Sequence, residues 1–165
     1  MSVASSIRIA PATPADVALV HELMRGLAVY EKLEDAFVAT VGDLEQALFG
    51  PRPAAEALLA RLDDKPVGYS LTFQTFSTFV GKPGTWLEDL FVLPEARGNG
   101  VGKALLEAIA ARCVERGHAR LEWAVLDWNE PAIAFYKRLG AVPMDEWTTM
   151  RVTGPALAAL ATAAK

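Results

Sequence analysis

The sequence predicts a mixed α/β (α+β) fold in one domain over residues 1–165, with a largely antiparallel central sheet and helices on both faces. Three observations predict it. Antiparallel-looking strands fill the first half, strand–helix–strand units fill the second, and no internal repeat or linker separates them. The 52% hydrophobic content also suffices to fill the core of one compact domain of this length.

Ile7 and Ile9 mark a first strand, closed by Pro11. Thr13-Pro14 opens a helix, in which Val17, Val20, Met24 and Leu27 share one face from about Asp16 to Val29. Tyr30 to Asp35 is polar and without period. Thr40, with Asp43 and Leu44, caps a second, short helix that stops near Gly50 and Pro51. Ala57 to Leu62 and Val67 to Phe76 read as strands joined into an antiparallel hairpin by Asp63-Asp64-Lys65-Pro66. The Gly81 to Gly84 loop leads into a strand from about Trp86 to Leu93, ended by Pro94. Val101, Leu105, Ile109 and Cys113, four residues apart, place a helix from Gly100 to about Arg116, with Gly117 as its stop. A strand over Leu121 to Leu126 follows, then a short helix from Glu130 to Leu139 ended by Gly140, then a closing strand from Trp147 to Val152. The Ala-rich tail after Pro155 reads as a terminal helix.

Composition narrows the function classes. Charge interrupts every long apolar run, as Glu88 and Asp89 do between Trp86 and Val92, so no transmembrane span and no membrane partner is expected. Met1 to Ile7 lacks the basic start and apolar centre of a secretory signal, and the single cysteine, Cys113, forms no internal disulfide; a cytoplasmic protein is expected. A formal charge of −4 with scattered Lys and Arg argues against a nucleic-acid partner and suits a cationic one. His21 and His118 are too isolated for a metal site, so none is expected, and Cys113 reads as packing.

The strongest chemical signal is Arg97-Gly98-Asn99-Gly100-Val101-Gly102, between a predicted strand and a predicted helix. Glycines open backbone conformations closed to other residues, so that successive N–H groups converge on a phosphate. The helix that follows adds its positive end, worth about 0.3–1 kcal/mol per charge interaction. Arg97 would add a charge-assisted contact. The same letters also make an ordinary glycine-rich turn into a helix. No Gly-Lys-Ser/Thr follows, so it is not a Walker loop, and its position and spacing fit a dinucleotide fingerprint poorly.

With that loop, the chain resembles the GCN5-related N-acetyltransferases (GNAT), whose pyrophosphate loop reads Arg/Gln-x-x-Gly-x-Gly/Ala after the fourth strand. Tyr30-Glu31-Lys32-Leu33-Glu34, Leu87-Glu88-Asp89, Trp128-Asn129-Glu130-Pro131 and Phe135-Tyr136-Lys137 extend the resemblance to the diamine (spermidine/spermine) and thialysine acetyltransferase branch. It implies a splayed cleft for acetyl-CoA, the cosubstrate. Leu90, Phe91 and Val92 would offer backbone groups to the pantetheine arm. Gly98, Asn99, Gly100, Val101, Gly102 and Lys103 would hold the pyrophosphate through backbone N–H groups, and Asn129 would contact the arm of CoA. A homodimer joined through its closing strands or terminal segments is also implied.

Two chemical problems select the remaining candidates. The thiolate that leaves the thioester needs a proton; a helical tyrosine by itself reads as half-buried packing, but the resemblance in the Asn-Glu-Pro and Phe-Tyr-Lys segments makes Tyr136 the expected general acid. Ala132, Phe135 and Leu139 share the helix face suited to the core, with Tyr136 turned away from its centre. An alkylamine acceptor with a pKa near 10.4 is almost wholly protonated at neutral pH, so a base is needed. The resemblance favours Glu88, directly or through water. Strand alternation would send Asp89 to the opposite face, where it would orient the substrate's cation. Tyr30, Glu31, Glu122, Trp123, Trp128 and Glu146 complete the acceptor-side candidates, while Trp86 and Trp147 read as core or interface. The expected reaction is direct acetyl transfer to a primary amine of a small molecule, a diamine, polyamine or lysine-like amino acid. A CoA-binding module without turnover and a protein N-acetyltransferase are the alternatives. Ser77 to Gly84 lacks the acidic residue and tryptophan of the polyamine-acetylating members, which leaves the acceptor open.

Overall fold

The computed structural model describes residues 6–162. Residues 1–5 of the Met1–Ile7 stretch, and the last three of the Ala-rich tail, lie outside the described residues. The chain forms two compact units, one ending at Ala124 and one beginning at Val125.

The first unit holds β1 (Ile7–Pro11), α1 (Val17–Glu31), α2 (Val41–Phe49), β2 (Glu56–Leu62), β3 (Lys65–Ser77), β4 (Lys82–Val92), α3 (Val101–Glu115) and β5 (Leu121–Trp123). The strands lie in sequence order across one sheet. β1 to β4 pair antiparallel, and β5 joins β4 in parallel. A parallel neighbour needs a crossover, and α3 supplies it. The β2–β3 hairpin turns on Asp63 and Asp64, both left-handed with φ of 48° and 64°. That geometry matches the right-handed twist of the flanking strands.

Alternation along β3 assigns the two faces. Tyr69 and Leu71 join Val20, Leu23, Leu44, Leu48, Leu59 and Phe91 in a core roofed by α1 and α2. Gly26 lets α1 come this close, because a Cβ there would lie 2.8 Å from the Phe91 ring. On the other face α3 buries Val101, Leu105, Leu106, Ile109 and Cys113. The Cys113 thiol donates to Thr85 Oγ1 at 3.0 Å, and that hydroxyl shares a 2.8 Å hydrogen bond with His118 Nδ1. Cys113, Thr85 and His118 thus form a polar string that ties α3 to β4.

The sheet has one irregularity that matters. Leu71 pairs with Asp89, but Thr72 pairs with Leu87, so Glu88 is an extra residue in β4 and forms a β-bulge. On the other side, β4 pairs with β5 only from Thr85 to Leu87. From Glu88 to Val92, β4 runs on with no pairing to β5.

The second unit contains α4 (Glu130–Arg138) and α5 (Gly154–Thr162). The expected closing strand over Trp147–Val152 is not a strand, and the strand expected to reach Leu126 ends at Trp123. A strand needs a neighbour for its backbone groups, and residues 147–152 pair with none among the described residues. Trp147, expected in the core or an interface, is 75% exposed, and Met150 is 86% exposed. The α4 face of Ala132, Phe135 and Leu139 is not a core face either: no α4 residue is fully buried and Leu139 is exposed.

Candidate active site

The bulge changes the reading of the acidic pair. Regular alternation would separate Glu88 and Asp89, but an extra residue resets the phase of the strand. Trp86 pairs with Phe73, and its ring packs 6.4 Å from the Phe73 ring. Its Nε1 donates to Glu88 Oε2 at 2.8 Å, so Glu88 shares its face. Asp89 pairs with Leu71 and accepts from the Tyr69 hydroxyl at 2.9 Å, on that same face. Both carboxylates thus lie on the α1 side of the sheet, which corrects the expectation of opposite faces.

Their surroundings differ. Glu88 is exposed and engaged by the Trp86 indole. Asp89 is largely buried, and its pKa is raised to about 6. Burial is the main cause; the Tyr69 hydrogen bond opposes it, and the charges of Glu88 and Glu31 add to it. Glu31 ends α1, half-buried, with its own pKa pushed up by burial. Tyr30 and Glu31 accordingly belong to the last turn of a helix, not to the aperiodic stretch assigned to residues 30–35. The parallel register sets Glu122 beside Trp86 on this face, ion-paired with Arg120 at 2.8 Å. Trp123 lies beside Leu87, on the opposite face, and is separated from the acidic group.

The open edge of β4 has a definite polarity. Leu93 N donates to Val67 O, and antiparallel pairing alternates, so Phe91 turns its N–H and C=O toward β3. Leu90 and Val92 turn theirs toward the open edge. Of the three residues expected to offer backbone groups, Leu90 and Val92 therefore face the open edge, whereas Phe91 faces β3 and its ring lies in the core.

The loop after β4 holds Gly98 and Gly100 with φ of +80° and +84°, in the left-handed region that favours glycine. Gly100 caps α3 directly, and no heavy atom lies within 4 Å of where a Gly98 Cβ would sit. Asn99 braces the loop through Nδ2 to Ala96 O at 3.1 Å. Val101 is buried under the first turn of α3 and Gly102 follows it. The Lys103 ammonium is ion-paired with Glu107. Arg97 does not reach into the loop as a phosphate ligand would. Its Nε donates to Val92 O at 3.0 Å, and its guanidinium lies 4.6 Å from the centre of the Tyr30 ring and 5.8 Å from that of Phe91. It braces the loop against the end of α1.

The second unit carries the other candidates. Asn129 is 6% exposed and caps α4, its Oδ1 accepting from Ala132 N at 3.4 Å. Tyr136 is half-buried in the last turn of α4, with its ring 5.3 Å from Phe135. Trp128 is half-exposed, and Glu146 is exposed. Sequence reasoning missed Tyr69 and the Trp86–Glu88 hydrogen bond. Tyr69 carries no signal of its own, because an aromatic residue in an apolar strand reads only as core.

The β4 edge and the glycine loop suit coenzyme A: Leu90 and the Val92 N–H present backbone groups for an amide-containing arm, and Gly98 and Gly100 carry no side chain at the start of a helix. The profile of the Acetyltransferase (GNAT) family matches residues 26–141. The chain is 33% identical to the L-ornithine N5-acetyltransferase of Arabidopsis thaliana over 93% of this chain and 87% of that protein. It is 34% identical to the thialysine N-epsilon-acetyltransferase of Sus scrofa, over 95% and 98% respectively. Among solved structures, an integron cassette protein from V. cholerae superposes with a TM-score of 0.76 and 27% identity, over 94% of this chain and 98% of that one.

Proposed function

Because the chain belongs to the acetyltransferase (GNAT) family and is an N-acetyltransferase, we propose that it moves acetyl from acetyl-CoA directly to a primary amine of a small, cationic amino acid or diamine. The observation that carries the acceptor class is the bulge in β4, which sets Glu88 and Asp89 on one face, with Glu31 near enough to act on Asp89, beside an open strand edge. Three carboxylates with few compensating cations favour an ammonium over a neutral or acidic acceptor. The ornithine and thialysine enzymes are relatives whose named acceptors are of this kind.

Acetyl-CoA supplies the activated acetyl group. Leu90 and Val92 hold its pantetheine arm by backbone hydrogen bonds, and Gly98 to Lys103 receive its pyrophosphate. Asn129 contacts the same arm. Glu88, exposed and oriented by Trp86, takes the proton that the amine must lose, directly or through water. Asp89 and Glu31 hold the acceptor's positive charge. Glu122 and Tyr30 are the further acceptor-side residues of the first unit, and Trp128 and Glu146 are the acceptor-side candidates of the second. Tyr136 gives a proton to the departing thiolate. The two units act as one catalytic domain, a reading supported by a family match that runs through both. We place the protein in the cytoplasm as a homodimer; its lone cysteine and the exposed apolar side chains of residues 142–152 are consistent with both.

Thiol release from acetyl-CoA across ornithine, thialysine, lysine, polyamines and lysine-containing peptides tests this. One small amine should turn over, and Tyr136→Phe and Glu88→Gln should each lower kcat by about 10²–10⁴-fold while coenzyme A still binds. Binding without turnover on any small amine, or turnover confined to peptides, would overturn it.

A further inference from the structure

We propose that Tyr69 is a positioning residue of the acceptor site: its buried hydroxyl holds the Asp89 carboxylate on the α1 face, so that Asp89 binds the acceptor's ammonium. The proposal rests on the acceptor class given above. Nothing in the chemistry of acetyl transfer requires a tyrosine in β3, and its hydroxyl needs explaining.

Tyr69 is 0% exposed, and its ring lies in the core beside Leu71 and Phe91. A phenylalanine would fill this space equally well and would bring no polar atom to desolvate. The hydroxyl instead donates to Asp89 Oδ2 at 2.9 Å. A neutral phenol donor fixes which way a carboxylate turns and leaves the remaining lone pairs for a cation. Glu88, by contrast, is exposed and already engaged by Trp86, so its charge is better screened by water. The less screened negative charge on this face is that of Asp89.

The groups that act on Asp89 come from three elements: Tyr69 of β3, Glu88 of β4 itself and Glu31 at the end of α1. Arg97, at the start of the glycine loop, is directed onto Tyr30 and Val92 O. Tyr69 is thus the group that favours ionised Asp89, against burial and two like charges. Removing its hydroxyl drives the Asp89 pKa above about 6, and less of the carboxylate is ionised near neutrality. An ammonium then finds a weaker partner.

The test pairs a ¹³C carboxyl NMR titration of Asp89, assigned with Asp89→Asn, with the pH profile of kcat/KM for the amine. In Tyr69→Phe the Asp89 midpoint and the acidic limb of kcat/KM should both rise by about one pH unit. KM for the amine at pH 7 should rise severalfold while KM for acetyl-CoA holds. A ring-fluorinated tyrosine placed at 69, a stronger donor that keeps the hydroxyl, should move both in the opposite direction, and it serves if Tyr69→Phe does not fold. An unmoved Asp89 midpoint overturns the proposal, and so does a moved midpoint with an unchanged amine KM and limb. Failure of the wild-type enzyme to acetylate any small amine overturns the acceptor reading itself, whereas the titration of Asp89 reports the Tyr69 contact independently of it.

Discussion

At the scale of single residues, the acidic face is defined by how differently two neighbouring carboxylates are solvated. Asp89 is held in a conformation that disfavours its charge, and linkage gives the sign of the effect on stability. Between the unfolded value of 3.8 and about 6, the native protein binds a proton that the unfolded chain has lost, so stability falls as pH rises through that window. Above it the penalty is fully present. Asp89→Asn keeps an oxygen for the Tyr69 hydroxyl and removes the charge. Denaturant unfolding should show the variant about 2–3 kcal/mol more stable at pH 7.5, with the advantage gone below pH 4. On the proposed acceptor site the same charge also binds the substrate, so its amine KM should rise at the same time. Equal stability of the two proteins at pH 7.5 would mean that Asp89 ionises without penalty.

At the scale of elements, the β3–β4 pair carries the site, and its register depends on close approach. A Cβ on Gly68 would lie 2.6 Å from the Phe91 carbonyl oxygen, which belongs to the backbone and cannot step aside. Gly68→Ala should therefore destabilise by about 1–3 kcal/mol and disturb the bulge farther along the same strand pair, opposite Leu71 and Thr72. Thr40→Ala provides the comparison. Thr40 Oγ1 accepts from Asp43 N at 3.1 Å to cap α2, away from β4, and its loss should lower stability by about 1 kcal/mol with turnover retained. Urea titrations with parallel thiol-release assays distinguish the two: a Gly68→Ala enzyme with normal turnover would show that the register at the bulge is not needed. Most of these elements are legible in sequence because local rules govern them. Thr40 and Asp43 announce α2, Asp63-Asp64 announces the hairpin, and four-residue spacing announces α3. The bulge at Glu88 is not legible, because it arises from pairing with β3, and nothing in Leu87-Glu88-Asp89 differs from a regular strand.

At the scale of the whole molecule, the exposed apolar side chains of the second unit set the expectation. Val142, Met144, Trp147, Met150 and Val152 all lie within one short segment and are exposed. Soluble proteins rarely leave such a concentration of apolar side chains in water unless a partner covers it. Sedimentation should give about twice the chain mass of 17.7 kDa, and Trp147→Glu with Met150→Glu should shift the protein to monomer. A wild-type protein that sediments as a monomer at micromolar concentration would sink the homodimer. The same segment explains why a closing strand was expected: alternating bulky residues read as a strand whether or not a neighbouring edge is present.

The sequence by itself determined the chemistry available to this protein: the glycine loop opening α3, the order of strands and helices, and the Leu87-Glu88-Asp89 and Phe135-Tyr136-Lys137 segments. Such features are local, set by backbone freedom and side-chain type within a few residues. Only the tertiary structure decided how that chemistry is arranged. Pairing with β3 turned Glu88 and Asp89 to one face and brought the Tyr69 hydroxyl to Asp89, while the short β5 ladder, ending at Leu87, left Leu90 and Val92 at an open edge. The physical reason is that register and burial are properties of pairs of elements, fixed when distant stretches of chain compete for the same hydrogen bonds and the same core.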